Sequence, residues 1–203
     1  CLKHCVRIGS AALHKNLPNK LTMMRILLVP VFMVLAAYHW MLAAGVVFAL
    51  ASITDFLDGA IARKYHLVTD FGKFADPLAD KLLTTTAFIY MIVDGVCSPV
   101  VVVIILAREF AVSGLRMIAA GAPDGKVIAA NWWGKVKTVL QMLTIIFYYF
   151  AVPIEQMTAG AGTQSALISQ VITYVLCWLV AAVTLFSGVK YLWDNRSFIN
   201  TAK

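Results

Sequence analysis

Six runs of about 20 predominantly apolar residues dominate this chain of 203 residues. A helix of about 20 residues rises about 30 Å, which matches the hydrocarbon core of a bilayer. Hydrophobic residues make up 61% of the chain and the mean hydropathy is +0.83, whereas soluble domains contain about 45–50% apolar residues. The sequence therefore predicts an all-α polytopic membrane protein with six transmembrane helices. The runs lie at 21–39, 41–62, 76–96, 98–119, 133–152 and 166–192.

The positive charges between these runs indicate how the chain is oriented. Lys and Arg occur before the first run, between the second and third, between the fourth and fifth, and after the sixth, whereas the other three links contain none. Because positive residues are retained on the cytoplasmic side, we expect both termini to be cytoplasmic. The predicted organisation is a juxtamembrane segment at 1–18, a six-helix transmembrane domain at 19–193 and a cytoplasmic tail at 194–203. Residues 1–16 fit an amphipathic helix on the anionic inner leaflet and equally a solvated arm.

The charge and the cysteine content argue against several classes of protein. The net charge is +7, yet the basic residues come singly or in pairs between apolar runs rather than as a solvated stripe. Nucleic acid is therefore not an expected partner, and a role at a membrane surface that handles phosphate groups is favoured. Cys1, Cys5, Cys97 and Cys177 have no CxxC spacing and lie in or beside apolar segments, so they predict neither a zinc site nor a disulfide framework.

Four aspartates mark the ends of the second and third runs. On helices, Asp55 and Asp58 are three residues apart and Asp76 and Asp80 are four apart, so each pair projects from one helix face. Carboxylates beside a membrane are costly, and they repel one another unless cations neutralise them. Ligand sets made only of oxygen favour hard ions such as Mg²⁺ or Mn²⁺, and two such ions form a clamp suited to phosphoryl transfer. A single aspartate also has a structural interpretation, because Asp76 before Pro77 is typical of a helix N-terminus.

The residues between the aspartates suit a bound phosphate. Gly59 has no side chain and lets a ligand approach the backbone, and Arg63 can pair bidentately with phosphate or act as a cytoplasmic anchor. Over residues 55–80 the pattern is DxxDGxxAR, eight residues, Gly72, three residues, Asp76, three residues and a final aspartate. This pattern resembles the signature of the CDP-alcohol phosphotransferase family at all eight of its positions. The six-run layout is also similar, and the resemblance extends over about 19–193.

That resemblance implies an enzyme. Members of the family transfer the phosphatidyl group of a CDP-linked lipid, such as CDP-diacylglycerol, to an alcohol and release CMP. Carried onto the matching positions, Asp55, Asp58, Asp76 and Asp80 would hold the metal ions, and Asp80 would also take the proton of the alcohol as general base. We expect direct in-line displacement, with a phosphatidyl-enzyme intermediate as the alternative. The implied contacts to the CDP head are Asn19, Thr22, Asp58, Gly59, Ala62, Arg63, Thr69 and Gly72, although Thr22 is equally an ordinary helix-entry residue.

Charges also occur in the fourth run, within the stretch AREFAVSGLR. Arg108 would lie about 12 Å deeper than Arg116, and an arginine at that depth needs a partner or an aqueous cavity. These two arginines, with Lys135 and Lys137 of the stretch GKVKT, are the predicted ligands of an acceptor's phosphate. The alternatives are that Glu109 pairs with a charge on a neighbouring helix, that Arg108 is purely structural, and that the lysines are snorkelling anchors.

A pocket with this many cations favours a phosphorylated alcohol over choline or ethanolamine, whose positive charges it would repel. The stretches AREFAVSGLR and GKVKT resemble those of bacterial phosphatidylglycerophosphate synthases, which use sn-glycerol 3-phosphate, and inositol phosphate is the alternative acceptor. The alternative from another class is an ion-coupled transporter, in which charges usually lie near the midplane between repeated halves. No such repeat is visible in the sequence. The resemblance further implies a homodimer in the bacterial cytoplasmic (inner) membrane, with the site facing the cytoplasm.

Overall fold

A computed structural model describes the backbone over residues 17–65, 70–121, 132–159 and 164–196, and the side chains over 23–54, 81–119, 132–158, 164 and 167–196. The described part of the chain contains six α-helices and no strands, which confirms the predicted all-α class. Two helices begin or end well outside their predicted runs: the third starts six residues earlier and the fifth ends seven residues later. The helices are α1 Leu17–Ala37, α2 Met41–Tyr65, α3 Asp70–Val93, α4 Pro99–Gly121, α5 Trp132–Ala159 and α6 Gln164–Asp194.

The chain divides into two compact units, residues 1–87 and 88–203. In the first unit, α1 packs against α2 through residues that recur every three or four positions, which places them on one face of each helix. Phe32 and Phe48 meet there with their ring centroids 6.2 Å apart. The buried hydrophobic residues of these two helices are Val29, Phe32, Ala36, Ala44, Phe48 and Ala51.

The connection from α1 to α2 is tight because α1 ends in a Schellman motif. The amide of Trp40 donates to the carbonyl of Leu35 and the amide of His39 donates to the carbonyl of Ala36. This geometry requires a left-handed residue, and His39 has a φ of 55°. A position that usually takes glycine is therefore occupied here by a residue with a side chain.

The second unit begins with the last turn of α3, which ends in the same motif. Val96 donates to the carbonyl of Met91, and Gly95 supplies the left-handed residue with a φ of 76°. The side chain of the preceding Asp94 accepts a hydrogen bond of 2.7 Å from the buried hydroxyl of Tyr148 on α5. The end of α3 is therefore tied to α5 by a hydrogen bond to a charged group.

Helix α6 packs against both α4 and α5 in the second unit. Its buried face consists largely of small or hydroxyl-bearing residues, which allow membrane helices to approach closely. One buried hydroxyl on α6 bonds to the backbone of its own helix: Thr173 donates to the carbonyl of Ser169, four residues earlier. The face recurs every three or four residues at Ser169, Thr173, Cys177, Val180, Thr184, Ser187 and Tyr191.

The outward faces of the helices expose large apolar side chains. Leu27, Val103 and Val171 have 65%, 64% and 63% of their surface exposed, and many similar residues surround them. Extensive apolar surface of this kind is unusual on a soluble protein and suits contact with lipid. By length and composition, two helical segments are long and apolar enough to cross a membrane, Trp132–Thr158 and Leu167–Asp194. The other apolar segments found in the described residues are shorter: Met23–Ala37, Met41–Thr54 and Lys81–Val93.

Candidate functional site

The four signature aspartates lie on two helices, Asp55 and Asp58 on α2 and Asp76 and Asp80 on α3. Their spacings of three and four residues therefore place each pair on one face of its helix. Because α3 begins at Asp70, Asp76 is inside the helix, and the interpretation of Asp76 as an N-cap is wrong. The side chains of all four aspartates lie outside the described residues.

Most of the predicted nucleotide contacts lie on the same two helices and at the start of α1. Asn19 and Thr22 are both helical, and Thr22 is not an entry residue because α1 begins at Leu17. Thr69 lies outside the described residues. The side chains of the remaining predicted contacts also lie outside them, although their backbone is helical: Gly59, Ala62 and Arg63 on α2 and Gly72 on α3.

The donor chemistry at the aspartates fits a divalent metal ion. All four side chains offer carboxylate oxygens, which are the ligands that Mg²⁺ and Mn²⁺ prefer. Among the side chains that the structure describes, no group of three or more His, Cys, Asp or Glu forms another candidate metal site. Cys97 and Cys177 are buried and are not joined in a disulfide.

A largely buried cluster joins Arg108 and Glu109 on α4 to Lys137 on α5 and Ser187 on α6. One carboxylate oxygen of Glu109, Oε1, accepts from Nζ of Lys137 and, at 3.1 Å, from Nη1 of Arg108. Nη2 of Arg108 donates to Oγ of Ser187 at 3.0 Å. Two of the four predicted phosphate ligands are thus brought together. The alternative in which Glu109 pairs with a charge on a neighbouring helix is confirmed. We call these four residues the Arg108 cluster.

The side chain of Arg108 crosses very close to the backbones of two other helices. A Cβ atom added to Gly188 on α6 would lie 2.8 Å from Cγ of Arg108, which is closer than real Cβ atoms approach. A Cβ atom added to Gly134 on α5 would lie 3.2 Å from Nη2. Nε of Arg108 is buried and has no hydrogen-bond partner among the described residues. The guanidinium therefore keeps donor capacity inside the protein that no described group uses.

The other two predicted ligands, Arg116 and Lys135, are more accessible. Nε of Arg116 donates to the hydroxyl of Tyr191 at 3.2 Å, and Cζ lies 5.5 Å from the centroid of the same ring. Lys135 is exposed on α5 and is not among the described partners of Glu109. The predicted set of four cations is therefore divided into a largely buried pair, Arg108 and Lys137, and two exposed residues.

Sequence reasoning missed the contribution of α6 and a buried arginine on α1. Ser187, Gly188 and Tyr191 contact the two arginines of α4, and the signal for them was a small and polar group within a long apolar run. Arg25 is only 3% exposed on α1. An arginine within an apolar run is a functional candidate by default, and that signal was present in the first run.

Comparison with known proteins relates these features to a family. Residues 15–187, most of the chain, match the family model described as CDP-alcohol phosphatidyltransferase. The chain belongs to the CDP-alcohol phosphatidyltransferase family. This confirms the resemblance carried by the aspartate pattern, since residues 55–80 lie within the matched region.

Individual members of the CDP-alcohol phosphatidyltransferase family are similar over two thirds or more of the chain. A protein of Bacillus subtilis (strain 168), named CDP-diacylglycerol--glycerol-3-phosphate 3-phosphatidyltransferase, is 38% identical over 203 residues, covering 92% of this chain and 98% of the relative. A protein of Rickettsia typhi with the same name is 38% identical over 87% of this chain and 95% of the relative. A probable phosphatidylglycerophosphate synthase of Mycobacterium tuberculosis is 41% identical over 68% of each chain.

Proposed function

We propose that this chain transfers the phosphatidyl group of CDP-diacylglycerol to sn-glycerol 3-phosphate, giving phosphatidylglycerophosphate and CMP. The observation that carries the acceptor assignment is the buried pairing of Arg108 and Lys137 through one oxygen of Glu109. Two relatives that are similar over most of the chain bear the name of this activity. The proposed role is therefore a step of phospholipid biosynthesis at a membrane.

The charge of the Arg108 cluster favours an anionic acceptor. Among the described side chains of the cluster, two cations face one carboxylate, which gives these groups a formal net charge of +1 before Arg116 is counted. A buried positive charge attracts a phosphate strongly, because few water molecules screen it, and it repels the ammonium group of choline or ethanolamine. Glycerol 3-phosphate carries both the phosphate and the hydroxyl that this proposal needs.

In the proposed reaction, Arg108 and Lys137 bind the phosphate of the acceptor, with Arg116 and Lys135 at its edge. Asp80 takes the proton from the acceptor's hydroxyl group while the oxygen of that hydroxyl forms a bond to the phosphatidyl phosphorus. The bond from that phosphorus to the bridging oxygen of the diphosphate breaks, and CMP leaves with the electron pair. The proposed contacts to the CDP head, among them Gly59 and Arg63, hold the leaving group in place.

Asp55, Asp58, Asp76 and Asp80 are the residues that would hold Mg²⁺ or Mn²⁺, and we propose two ions. When bound, such ions neutralise charge on the diphosphate and make CMP a better leaving group. The family membership and the all-oxygen donor set support this assignment.

We also propose that the chain crosses a bacterial cytoplasmic (inner) membrane six times, with both termini and the site on the cytoplasmic side. The distribution of Lys and Arg and the apolar outer faces of the helices support this topology. A homodimer is proposed from the family resemblance.

The test uses the purified full-length protein in mixed micelles with CDP-diacylglycerol and Mg²⁺ or Mn²⁺, and it measures CMP release. Glycerol 3-phosphate is expected to support release, whereas inositol phosphate and serine are not. Release with inositol phosphate alone would reassign the acceptor. No release with any of a panel of alcohols would overturn the enzyme proposal and return attention to ion-coupled transport.

A further inference from the structure

We propose that Ser187, Gly188 and Tyr191 form a positioning face on α6 that holds Arg108 and Arg116 in place for the acceptor's phosphate. The inference rests on the proposed function, because it takes that phosphate to be the ligand of the two arginines. The three residues of the positioning face are not assigned contact with substrate. Their effect passes through the arginines of α4.

Ser187 restricts the guanidinium of Arg108. Its fully buried hydroxyl accepts from Nη2 at 3.0 Å, while Nη1 donates to Glu109 at 3.1 Å. The two terminal nitrogens donate hydrogen bonds to residues on two different helices, α4 and α6, so the plane of the guanidinium is fixed. Nε stays buried without a described hydrogen-bond partner, so the held side chain still presents an unused donor. A fixed, partly unsatisfied guanidinium is suited to bind an anion with little further loss of conformational freedom.

Gly188 gives the stem of Arg108 room to cross α6. Any residue with a Cβ atom at position 188 would place that atom 2.8 Å from Cγ of the arginine. Cγ lies in the middle of the side chain, so it cannot move aside without displacing the guanidinium. Gly134 on α5 faces the other end of the same side chain, 3.2 Å from Nη2 to the added Cβ. Arg108 is therefore enclosed by close backbone packing as well as by hydrogen bonds.

Tyr191 restricts Arg116 as Ser187 restricts Arg108, and it lies one helical turn further along α6. Its ring is buried against Val112 and Leu115 of α4, and its hydroxyl accepts from Nε of Arg116. Arg108 and Arg116 are about 12 Å apart along the axis of α4, yet residues only four positions apart on α6 contact both of them. One rigid surface thus sets the position of both cations.

If this inference is correct, damage to the positioning face weakens acceptor binding selectively. Displacing a preorganised charged group by about 1 Å can reduce function by about 100-fold. Gly188→Ala is expected to raise the KM for glycerol 3-phosphate by about 10-fold to 100-fold and to leave the KM for CDP-diacylglycerol within about 2-fold. Ser187→Ala and Tyr191→Phe each delete one hydroxyl that accepts a hydrogen bond from an arginine. They should raise the KM for glycerol 3-phosphate by about 3-fold to 10-fold.

Matched controls are available on the same helices. Gly114→Ala, on α4, adds the same methyl group where no atom lies within 4 Å, so both KM values should stay unchanged. Thr184→Val removes a fully buried hydroxyl from α6 that has no described hydrogen-bond partner. It controls for Ser187→Ala. A second readout is thermal stabilisation by glycerol 3-phosphate without turnover, which Gly188→Ala should lose and Gly114→Ala should keep.

The outcomes separate this inference from the proposed function. Arg108→Ala is measured in parallel, and a wild-type KM for glycerol 3-phosphate in that variant would remove the acceptor site itself. If Arg108→Ala raises this KM but Gly188→Ala, Ser187→Ala and Tyr191→Phe do not, only the positioning face is wrong. Equal rises in the KM for glycerol 3-phosphate and for CDP-diacylglycerol in the positioning-face variants would show a general structural defect. That result would also overturn the inference. If Gly188→Ala does not fold, the two milder variants decide.

Discussion

Glu109 on α4 and Lys137 on α5 form an ion pair whose side chains are largely buried, with 16% and 5% of their surfaces exposed. Arg108 shares the same carboxylate oxygen, so Glu109 is the described counter-charge of two cations. Removing one partner of a buried pair leaves an uncompensated charge, which costs about 3–5 kcal/mol. Glu109→Gln should therefore lower the free energy of unfolding by about 3 kcal/mol. The measurement is denaturant or thermal unfolding in a fixed detergent and lipid mixture.

Lys137→Met changes the other partner of this ion pair, and with Glu109→Gln it forms a double-mutant cycle. This change should cost less than Glu109→Gln, because Glu109 keeps Arg108 as a partner. The double variant Glu109→Gln with Lys137→Met should be more stable than Glu109→Gln alone, since it also removes one of the two cations that Glu109 pairs with. Strictly additive losses in the double variant would mean that the two side chains are not energetically coupled.

The acid–base assignment gives a second prediction. Asp80→Asn keeps the size and shape of the side chain but cannot accept a proton from the alcohol. Turnover should fall by about 100-fold to 10,000-fold, the usual contribution of a positioned base. Because Asp80 is also a proposed metal ligand, the assay uses a saturating concentration of Mg²⁺. Under this condition, binding of CDP-diacylglycerol, measured by equilibrium competition with CDP, should stay within a few-fold of the wild type. Wild-type turnover in this variant would remove Asp80 from the role of base.

Much of the fold could be predicted because it depends on local pattern. Six apolar runs indicated six helices, and fixed spacings placed each aspartate pair on one helix face. The helix boundaries were less accurate. Pro77 suggested a helix start at Asp76, and the fifth run was predicted to end before Pro153, yet both prolines lie inside helices. A proline can be accommodated within a membrane helix when neighbouring groups compensate for the lost hydrogen bond.

The candidate site could be predicted only in part, for a different physical reason. The charges of Arg108 and Lys137 stand out within apolar sequence, and their role as cations follows from residue type. The partners of Arg108 could not be predicted from the sequence. Ser187 is 79 residues away from it, and no local period indicates which helices become neighbours. Gly188 has meaning only once the arginine stem is seen to cross its backbone.

The two Schellman motifs give a prediction about stability alone. His39 and Gly95 occupy the same left-handed position after α1 and α3, with φ angles of 55° and 76°. A residue with a Cβ atom costs about 1–2 kcal/mol more than glycine in that conformation. His39→Gly should therefore raise the free energy of unfolding by up to about 1 kcal/mol, and Gly95→Ala should lower it by about 1 kcal/mol.

Thermal unfolding in the same detergent mixture measures both changes. No atom lies within 4 Å of a Cβ added to Gly95, so the loss in Gly95→Ala isolates the backbone cost. Gly114→Ala, in the middle of a helix, is the control and should be neutral or stabilising. Equal shifts for Gly95→Ala and Gly114→Ala would show that the φ angle is not the cause.

The proposed metal site gives the last prediction. Four carboxylates that hold Mg²⁺ or Mn²⁺ would lose those ions to EDTA, and CMP release should then fall below detection. Added Mg²⁺ or Mn²⁺ should restore it, because both ions prefer oxygen ligands.

Asp58→Asn removes one negative charge from the donor set. It should raise the metal concentration needed for half-maximal turnover by about 10-fold to 100-fold, a loss comparable to that of a supporting residue of a metal site. The KM for glycerol 3-phosphate at saturating metal should stay near the wild-type value, since Arg108 and Lys137 are unchanged. Full activity in EDTA would show that turnover does not depend on such ions, and a changed acceptor KM without a changed metal requirement would place Asp58 outside the donor set.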